Sequence, residues 1–334
     1  MVYPSNGCLR WWSIYIFSIL KNFFMNKELK KIIVSLLILF IGFIIIDNAT
    51  AVIGQSLLSK IPNEGQKYTK INYIINRLNS DVVIIGSSEA SHHYIPSVIK
   101  HTVDSIYNSD CTVYNAGIDG HYFNYQSCWI ECILKRYSPK IIIWDLSDVA
   151  LMKSDEGYNS IYPYYNCNKV VERYVNEEEM PELLKILSKQ YQYNSKFLGY
   201  IKDIVFPQGF TDGYIPLYGK MSKKTADMKN NEGIKDFVDY DSLSITRFRK
   251  ILKLCNAKKI KLIIASSPRF AKSLGNNFLY SECKINNIHF FDKKNTPYFN
   301  HRPELFQDGA HLNDEGAKIF SEMFCSDLKL NLKK

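Results

Sequence analysis

The stretch Asp81-Val-Val-Ile-Ile-Gly-Ser-Ser-Glu89 decides how this chain is read. Its run of β-branched apolar residues shows no alternation. That is what a central parallel strand covered on both faces requires. The run stops at Gly86, and two serines and an acid follow, the composition of a turn into a helix. In a doubly wound sheet the carboxyl end of a central strand is where ligands and reacting groups gather. Ser88 there is a candidate nucleophile whose own N–H faces the same space. An ordinary N-cap at Ser87 or Ser88 is the competing reading, and the stretch alone does not choose.

Outward from this strand, short apolar runs alternate with helical stretches, the sign of a parallel sheet wrapped by helices. Strands are expected at Cys111 to Tyr114, Lys140 to Trp144, Lys261 to Ala265 and Ile288 to Phe291, and helices at Tyr94 to Lys100, Asn124 to Arg136, Ser242 to Ala257 and Asn313 to Leu328. Between 149 and 239 the pattern gives way to Tyr-rich sequence broken by Pro and Gly, with one helix expected over Pro181 to Gln190. This reads as an insertion over one end of the sheet. Its tyrosines (Tyr158, Tyr162, Tyr164, Tyr165, Tyr214 and Tyr218) suit either packing of an irregular segment or stacking on sugar rings, with packing the commoner use of such residues.

Near the other end stands Phe306-Gln-Asp308-Gly-Ala-His311-Leu-Asn313, followed by a helix. An acid three residues before a histidine, at a helix start, can take the Nδ1 proton and leave Nε2 to act as a base. A serine hydroxyl is a poor nucleophile until such a base removes its proton, so the two segments together supply what acyl transfer needs. The alternative for Asp308 is a surface cap beside a solvated His311. His92 and His93 lack companions for a metal site and are read as solvated or supporting side chains. Arg269, in Ser266-Ser-Pro-Arg269, is a candidate to bind an anionic substrate, with plain surface placement as the alternative.

On these segments the chain resembles the SGNH or GDSL hydrolase superfamily, with a serine block after the first strand and a DxxH block before the last helix. The resemblance implies a flavodoxin-like three-layer α/β fold with a central parallel sheet. It implies a catalytic triad of Ser88, His311 and Asp308, with Ser87 in the aspartate position of the serine block. It also implies an oxyanion hole from the N–H groups of Ser88 and Gly117, the latter in Tyr114-Asn-Ala-Gly117-Ile-Asp-Gly120. The family's GxND block is missing. After the third strand stands Trp144-Asp-Leu-Ser-Asp148, so Asp148 or Ser147 takes the place of the asparagine, and an acid is a poor oxyanion donor unless protonated.

With the membrane segment described next, the pattern is similar to the DltD-like and polysaccharide O-acetylation branches. That similarity implies an acyl-esterase or O-acyltransferase, with acetyl as the expected group, acting on a cell-envelope or exported polysaccharide. Its expected partners are an acylated glycan or acyl donor and a membrane-bound O-acyltransferase, with no metal or organic cofactor. A non-catalytic anchored binding or assembly subunit with the same fold is the alternative.

Ile32 to Ile46 carries no charge, and Lys27, Lys30 and Lys31 stand before it. By the positive-inside rule this places the N-terminus in the cytoplasm and the remainder outside a bacterial inner membrane. The expected organisation is a cytoplasmic segment over 1–31, with Met25 as an alternative start, a transmembrane signal-anchor over 32–53, a linker over 54–80, and the SGNH-like domain over 81–328. A cleaved signal peptide, with a site near Ala49-Thr50-Ala51, is the competing reading. The apolar stretch Trp11 to Leu20 ahead of the span suits an amphipathic surface segment or an over-extended start.

The 334 residues, 46% hydrophobic and 22% charged, are an ordinary globular composition. A net charge of +9 is spread in Lys-rich patches without a nucleic-acid motif, so no nucleic-acid partner is expected. Of eight cysteines, Cys8 precedes the span and seven follow it, an odd number that leaves at least one unpaired within the chain. Cys128 and Cys132 share a helix face, which suits core packing.

Overall fold

The computed structural model describes residues 27–61, 67–152, 157–177, 185–193, 196–207, 212–230, 239–270 and 275–332. Along the chain these form α1 (Lys27–Lys60), α2 (Lys67–Asn76), β1 (Val82–Ile85), α3 (Ser88–His93), α4 (Pro96–Tyr107), β2 (Val113–Asn115), α5 (Phe123–Arg136), β3 (Ile141–Asp145), α6 (Lys169–Asn176), α7 (Lys189–Tyr193), α8 (Lys196–Val205), α9 (Lys223–Asn230), α10 (Ser242–Ala257), β4 (Lys261–Ser266), α11 (Asn277–Ile285), β5 (His289–Asp292) and α12 (Asp314–Leu332). The stretch Trp11 to Leu20, Met25 and Cys8 lie outside the described residues, as do residues 181–184 of the helix expected over Pro181 to Gln190.

All five strands are parallel, in the order β2-β1-β3-β4-β5. The apolar run of β1 explains its central place. Val82 and Ile84 point into one core with Ile141, Ile143, Ile263 and the helices α4 and α12. Val83 and Ile85 point into the other with Ile142, Trp144, Ile264 and the helices α2, α5 and α10. All four β1 side chains are fully buried. Each such side chain contributes roughly 1.5–3 kcal/mol relative to exposure, so a charge at any of them breaks a layer. The result is a three-layer α/β sandwich, the fold class expected from the sequence.

Strand order reverses between β1 and β3, and in doubly wound sheets the crevice beyond that reversal is where ligands bind. β2 begins two residues later than the apolar pattern suggests. The Cys111 N–H is taken by the Asp104 carboxylate and the Thr112 N–H by Asp81, which removes both from the ladder.

The Tyr-rich stretch mostly serves packing. Tyr158, Tyr162, Tyr164 and Tyr214 are buried, whereas Tyr218 is exposed. Buried Arg247 of α10 donates to Tyr158 Oη at 2.8 Å and ion-pairs with Glu177, with its guanidinium 4.5 Å from the Tyr174 ring centre. The stretch read as a polar linker is helical in its described part, as the end of α1 and as α2. Cys128 and Cys132 are buried on α5, and all seven cysteines among the described residues are free thiols.

Candidate active site

Ser88 opens α3 directly beyond β1, and the sequence forces the turn to be tight. A Cβ at Gly86 would come within 2.5 Å of the Ala90 Cβ and 3.1 Å of the Asp145 carbonyl, so only glycine fits between β1, α3 and β3. Ser87 Oγ donates to Glu89 Oε2 at 2.5 Å, which leaves Ser88 Oγ free of the turn's own bonds. As the first residue of a helix, Ser88 keeps an N–H with no intrahelical acceptor.

His311 arrives from the far end of the chain on a short loop. Phe306 and Leu312 bridge antiparallel, Gln307 N donates to His311 O, and Asp308 Oδ1 accepts from the backbone N–H groups of Ala310 and His311 at 2.8 and 3.0 Å. This Asx-type turn points the carboxylate back at the ring. Asp308 Oδ2 lies 2.9 Å from His311 Nδ1, and His311 Nε2 lies 2.7 Å from Ser88 Oγ. The carboxylate only accepts, so Nδ1 carries the proton and Nε2 accepts from the serine hydroxyl. Partial burial pushes the Asp308 carboxyl upward, but the bonds from His311 and the Ala310 N–H outweigh it and hold the group below its ordinary value. Serine, imidazole and carboxylate are thus in one hydrogen-bonded line, the arrangement that lets an imidazole take a hydroxyl proton.

Two adjacent histidines brace this line and are far from solvated. His93 is fully buried: its Nε2 accepts from the Leu312 N–H at 2.9 Å and its Nδ1 donates to Ser267 Oγ at 2.9 Å. Burial, reinforced by the neighbouring His311, His92 and Arg269, depresses the His93 pKa well below the usual imidazole value and keeps the ring neutral. His92 reaches Ile215 O with Nδ1 at 2.6 Å and Asp119 with Nε2 at 3.0 Å, and its ring meets that of His311 edge-on at 5.6 Å. Among the described residues no cluster of three or more His, Cys, Asp or Glu side chains could hold a metal ion.

Two oxyanion assignments fail on geometry. Gly117 lies against α3, where a Cβ would come within 2.4 Å of the Ser91 nitrogen, but its N–H donates to Asn115 Oδ1 at 2.9 Å and is not free for substrate. Asn115 also donates through Nδ2 to the carbonyls of Ala90 and Tyr94, so it holds the end of α3 in place. Asp148 is buried and saturated. It accepts from the N–H groups of Phe278 and Leu279 at the start of α11 and from Tyr240 Oη at 2.7 Å, which makes it a helix cap rather than a donor. Of the two residues that the spacing after β3 offers, Asp148 and Ser147, it is Ser147 that lines the cleft beyond the strand ends.

That cleft, about 400 Å³, opens beyond the ends of β1, β3 and β4 and is lined by Ser87, Glu89, Asp145, Ser147, Arg269 and Lys294 among others. Arg269 faces it, with Nη1 3.5 Å from Glu89 Oε1. Burial, with the Glu89 charge adding to it, pushes the Asp145 carboxyl up to about 7. Beneath the site lies Lys70 of α2, fully buried, donating through Nζ to the carbonyls of Gly117 and Gly213 at 2.5 and 2.6 Å. Burial lowers its pKa to about 7 against the opposing pull of Asp119 and Asp212. Nothing in the sequence marks Lys70, because its partners are backbone atoms from two distant loops.

No family model and no curated protein sequence matches the chain. Among solved structures it is similar to an acetyl xylan esterase at 13% identity, with a TM-score of 0.37 over 74% of this chain and 98% of that one. It is also similar to a GDSL-like lipase from Bacteroides thetaiotaomicron at 13% identity, with a TM-score of 0.36 over 79% of this chain and 98% of that one.

Proposed function

We propose that this protein is a membrane-anchored, SGNH-type serine acyl-esterase or O-acyltransferase, with acetyl as the acyl group, acting on a cell-envelope or exported polysaccharide outside the cytoplasmic membrane. The observation that carries the reading is the unbroken line from Ser88 Oγ through His311 to Asp308, at 2.7 and 2.9 Å. Ser88 attacks the ester carbonyl while His311 Nε2 takes its proton; collapse of the tetrahedral intermediate expels the alcohol, which receives that proton. Water or a glycan hydroxyl then attacks the acyl-serine, with His311 again as base, and releases the acid or the new ester. The oxyanion rests on the Ser88 N–H, with Ser147, which lines the adjoining cleft, as the candidate for a second donor. An oxyanion donor of this kind is worth about 3 kcal/mol.

The cleft supports a polar substrate. Its wall combines serines with Gln126, and half-exposed Tyr122 offers a ring face for a sugar. Arg269 stands where it can meet an anionic substituent. The anchoring part of the reading rests on α1, which is long and apolar enough to cross a bilayer and is exposed along its apolar stretch. A membrane-bound O-acyltransferase is a fitting source of acyl groups for a domain held at that surface.

The test is covalent trapping. A fluorophosphonate should label the wild-type protein and leave Ser88→Ala unlabelled, and an acetyl ester should show a burst of nitrophenol only in the wild type. Absent labelling of a folded wild type, or equal labelling of the variant, would leave an inert binding subunit as the better description.

A further inference from the structure

The outward side of α1 is mainly apolar from Ile32 to Ile53, with Val52 71% and Ile53 56% exposed, and its exposed polar Asn48 donates to Ile44 O within the helix. At 1.5 Å per residue this is about 33 Å, close to the roughly 30 Å of a hydrocarbon core. Asp47 falls inside that run, yet it is buried. Its carboxylate accepts from Ser188 Oγ at 2.8 Å and from the N–H groups of Lys189 and Gln190 at 2.9 Å each, so it caps α7. Two turns further along α1, the Tyr193 ring covers Gly54, leaving no room for a Cβ, and Gln55 Nε2 donates to Tyr193 Oη at 2.6 Å. α7 therefore runs beside the last turns of the apolar stretch rather than beyond them. With α1 in a bilayer, α7 and the adjoining α8 lie level with its surface.

α8 is apolar on two sides: Phe197, Tyr200 and Ile204 pack against the core, and a second apolar set faces out. Lys196 and Tyr200 are turned inward and buried, and Asp203 accepts from Thr69 N and Oγ1 of α2. Leu198, Ile201, Val205 and the following Phe206 face out, at 78%, 45%, 58% and 68% exposure. Their spacing of three, four and one residues puts them on one stripe, which also carries exposed Lys202, a residue whose long stem can lift its charge to the headgroup level. Leu187, just before the residues that bind Asp47, is 75% exposed. Among the described residues exposed apolar side chains elsewhere are more scattered, but here they adjoin the one described helix long and apolar enough for lipid.

We propose that α8 lies in the membrane–water interface, with Leu198, Ile201, Val205 and Phe206 set among the lipid acyl chains and Leu187 beside them. The proposal rests on α1 being a membrane span, and it adds a second, in-plane attachment. Interfacial helices bury such a face about 5–10 Å into the headgroup boundary. A spanning helix alone leaves the domain free to tilt, whereas a spanning helix and a flat α8, in contact with each other and with α7 capped by Asp47, fix its orientation and the height of the cleft.

The test uses the full-length protein in phosphatidylcholine and phosphatidylglycerol vesicles. A fluorescent amino acid replaces, one at a time, Leu198, Val205, Ile38 of α1 or Leu330 of α12 in the opposite layer, and brominated lipid is the quencher. Quenching at Leu198 and Val205, several-fold stronger than at Leu330, is expected alongside strong quenching at Ile38. Quenching at Ile38 with Leu198 and Val205 as unaffected as Leu330 overturns the proposal while leaving the anchor intact. An unquenched Ile38 removes the span and this proposal with it. Shielding of Leu198 that appears only when a second membrane protein is added assigns the stripe to that protein and overturns the lipid reading.

Discussion

Replacing Asp308 with asparagine tests the proton line without disturbing its shape. In the wild type, Asp308 Oδ1 accepts from the N–H groups of Ala310 and His311, and Oδ2 sits 2.9 Å from His311 Nδ1. In Asp308→Asn the amide oxygen keeps the two backbone donors, since turning the amide over would oppose N–H to N–H. The amide nitrogen then faces Nδ1 and drives the proton to Nε2, where it points at Ser88 and the base is lost. That tautomer error costs about 10⁴ in kcat where it is complete. Here Oδ1 also lies 3.0 Å from Nδ1, so part of the population keeps the working tautomer and loses only the charge. The expected fall in kcat is therefore between about 10² and 10⁴, or roughly 2.7–5.4 kcal/mol of transition-state stabilisation. The change is nearly isosteric and both backbone bonds remain, so unfolding free energy should shift by less than about 1 kcal/mol. Nitrophenyl acetate hydrolysis and urea unfolding on the same preparation measure both quantities. A variant that keeps kcat within about tenfold of wild type would refute the assigned role of Asp308.

Lys70 predicts a pH dependence of stability. Its pKa is about 7 in the folded state against an ordinary 10.5, so between these values the unfolded chain holds the extra proton and stability rises with pH. In Lys70→Met that increment is absent, so the Tm advantage of the wild type over the variant should grow from about pH 6 to about pH 9; parallel curves would contradict the buried charge. His93→Phe leaves the buried Leu312 N–H without an acceptor and should lose about 1–3 kcal/mol in urea unfolding; an unchanged midpoint would show that the bond contributes nothing. Asp148→Ala removes the α11 cap, at a cost of about 1–2 kcal/mol in stability. Its kcat/KM should stay within about threefold, whereas a fall of about 10²–10³ would restore Asp148 to the oxyanion hole.

The sheet was legible because its signal is local: four β-branched residues with no polar alternation can sit only where both faces are covered. The Ser88 and His311 segments were legible for a chemical reason, since each carries a residue type and a turn that acyl transfer needs. The oxyanion hole was not. Whether the Gly117 N–H is free depends on the rotamer of Asn115 two residues away, and whether Asp148 or Ser147 turns toward the cleft depends on where α11 begins, more than a hundred residues later. The boundaries of β2 were displaced by side chains from Asp81 and Asp104 competing for its amides. The helices α6, α7 and α8 are short and are held by contacts with α1, α2 and α5, so propensity alone could not set them apart from the Tyr-rich sequence around them.

The nucleophile and its base lie 223 positions apart. A chain built from its N-terminus presents Ser88 long before His311. Until α12 and the loop before it dock against α3, the hydroxyl has no proton acceptor and is as inert as any surface serine. Chain order thus acts as a built-in delay: the serine gains its proton acceptor only when the fold closes.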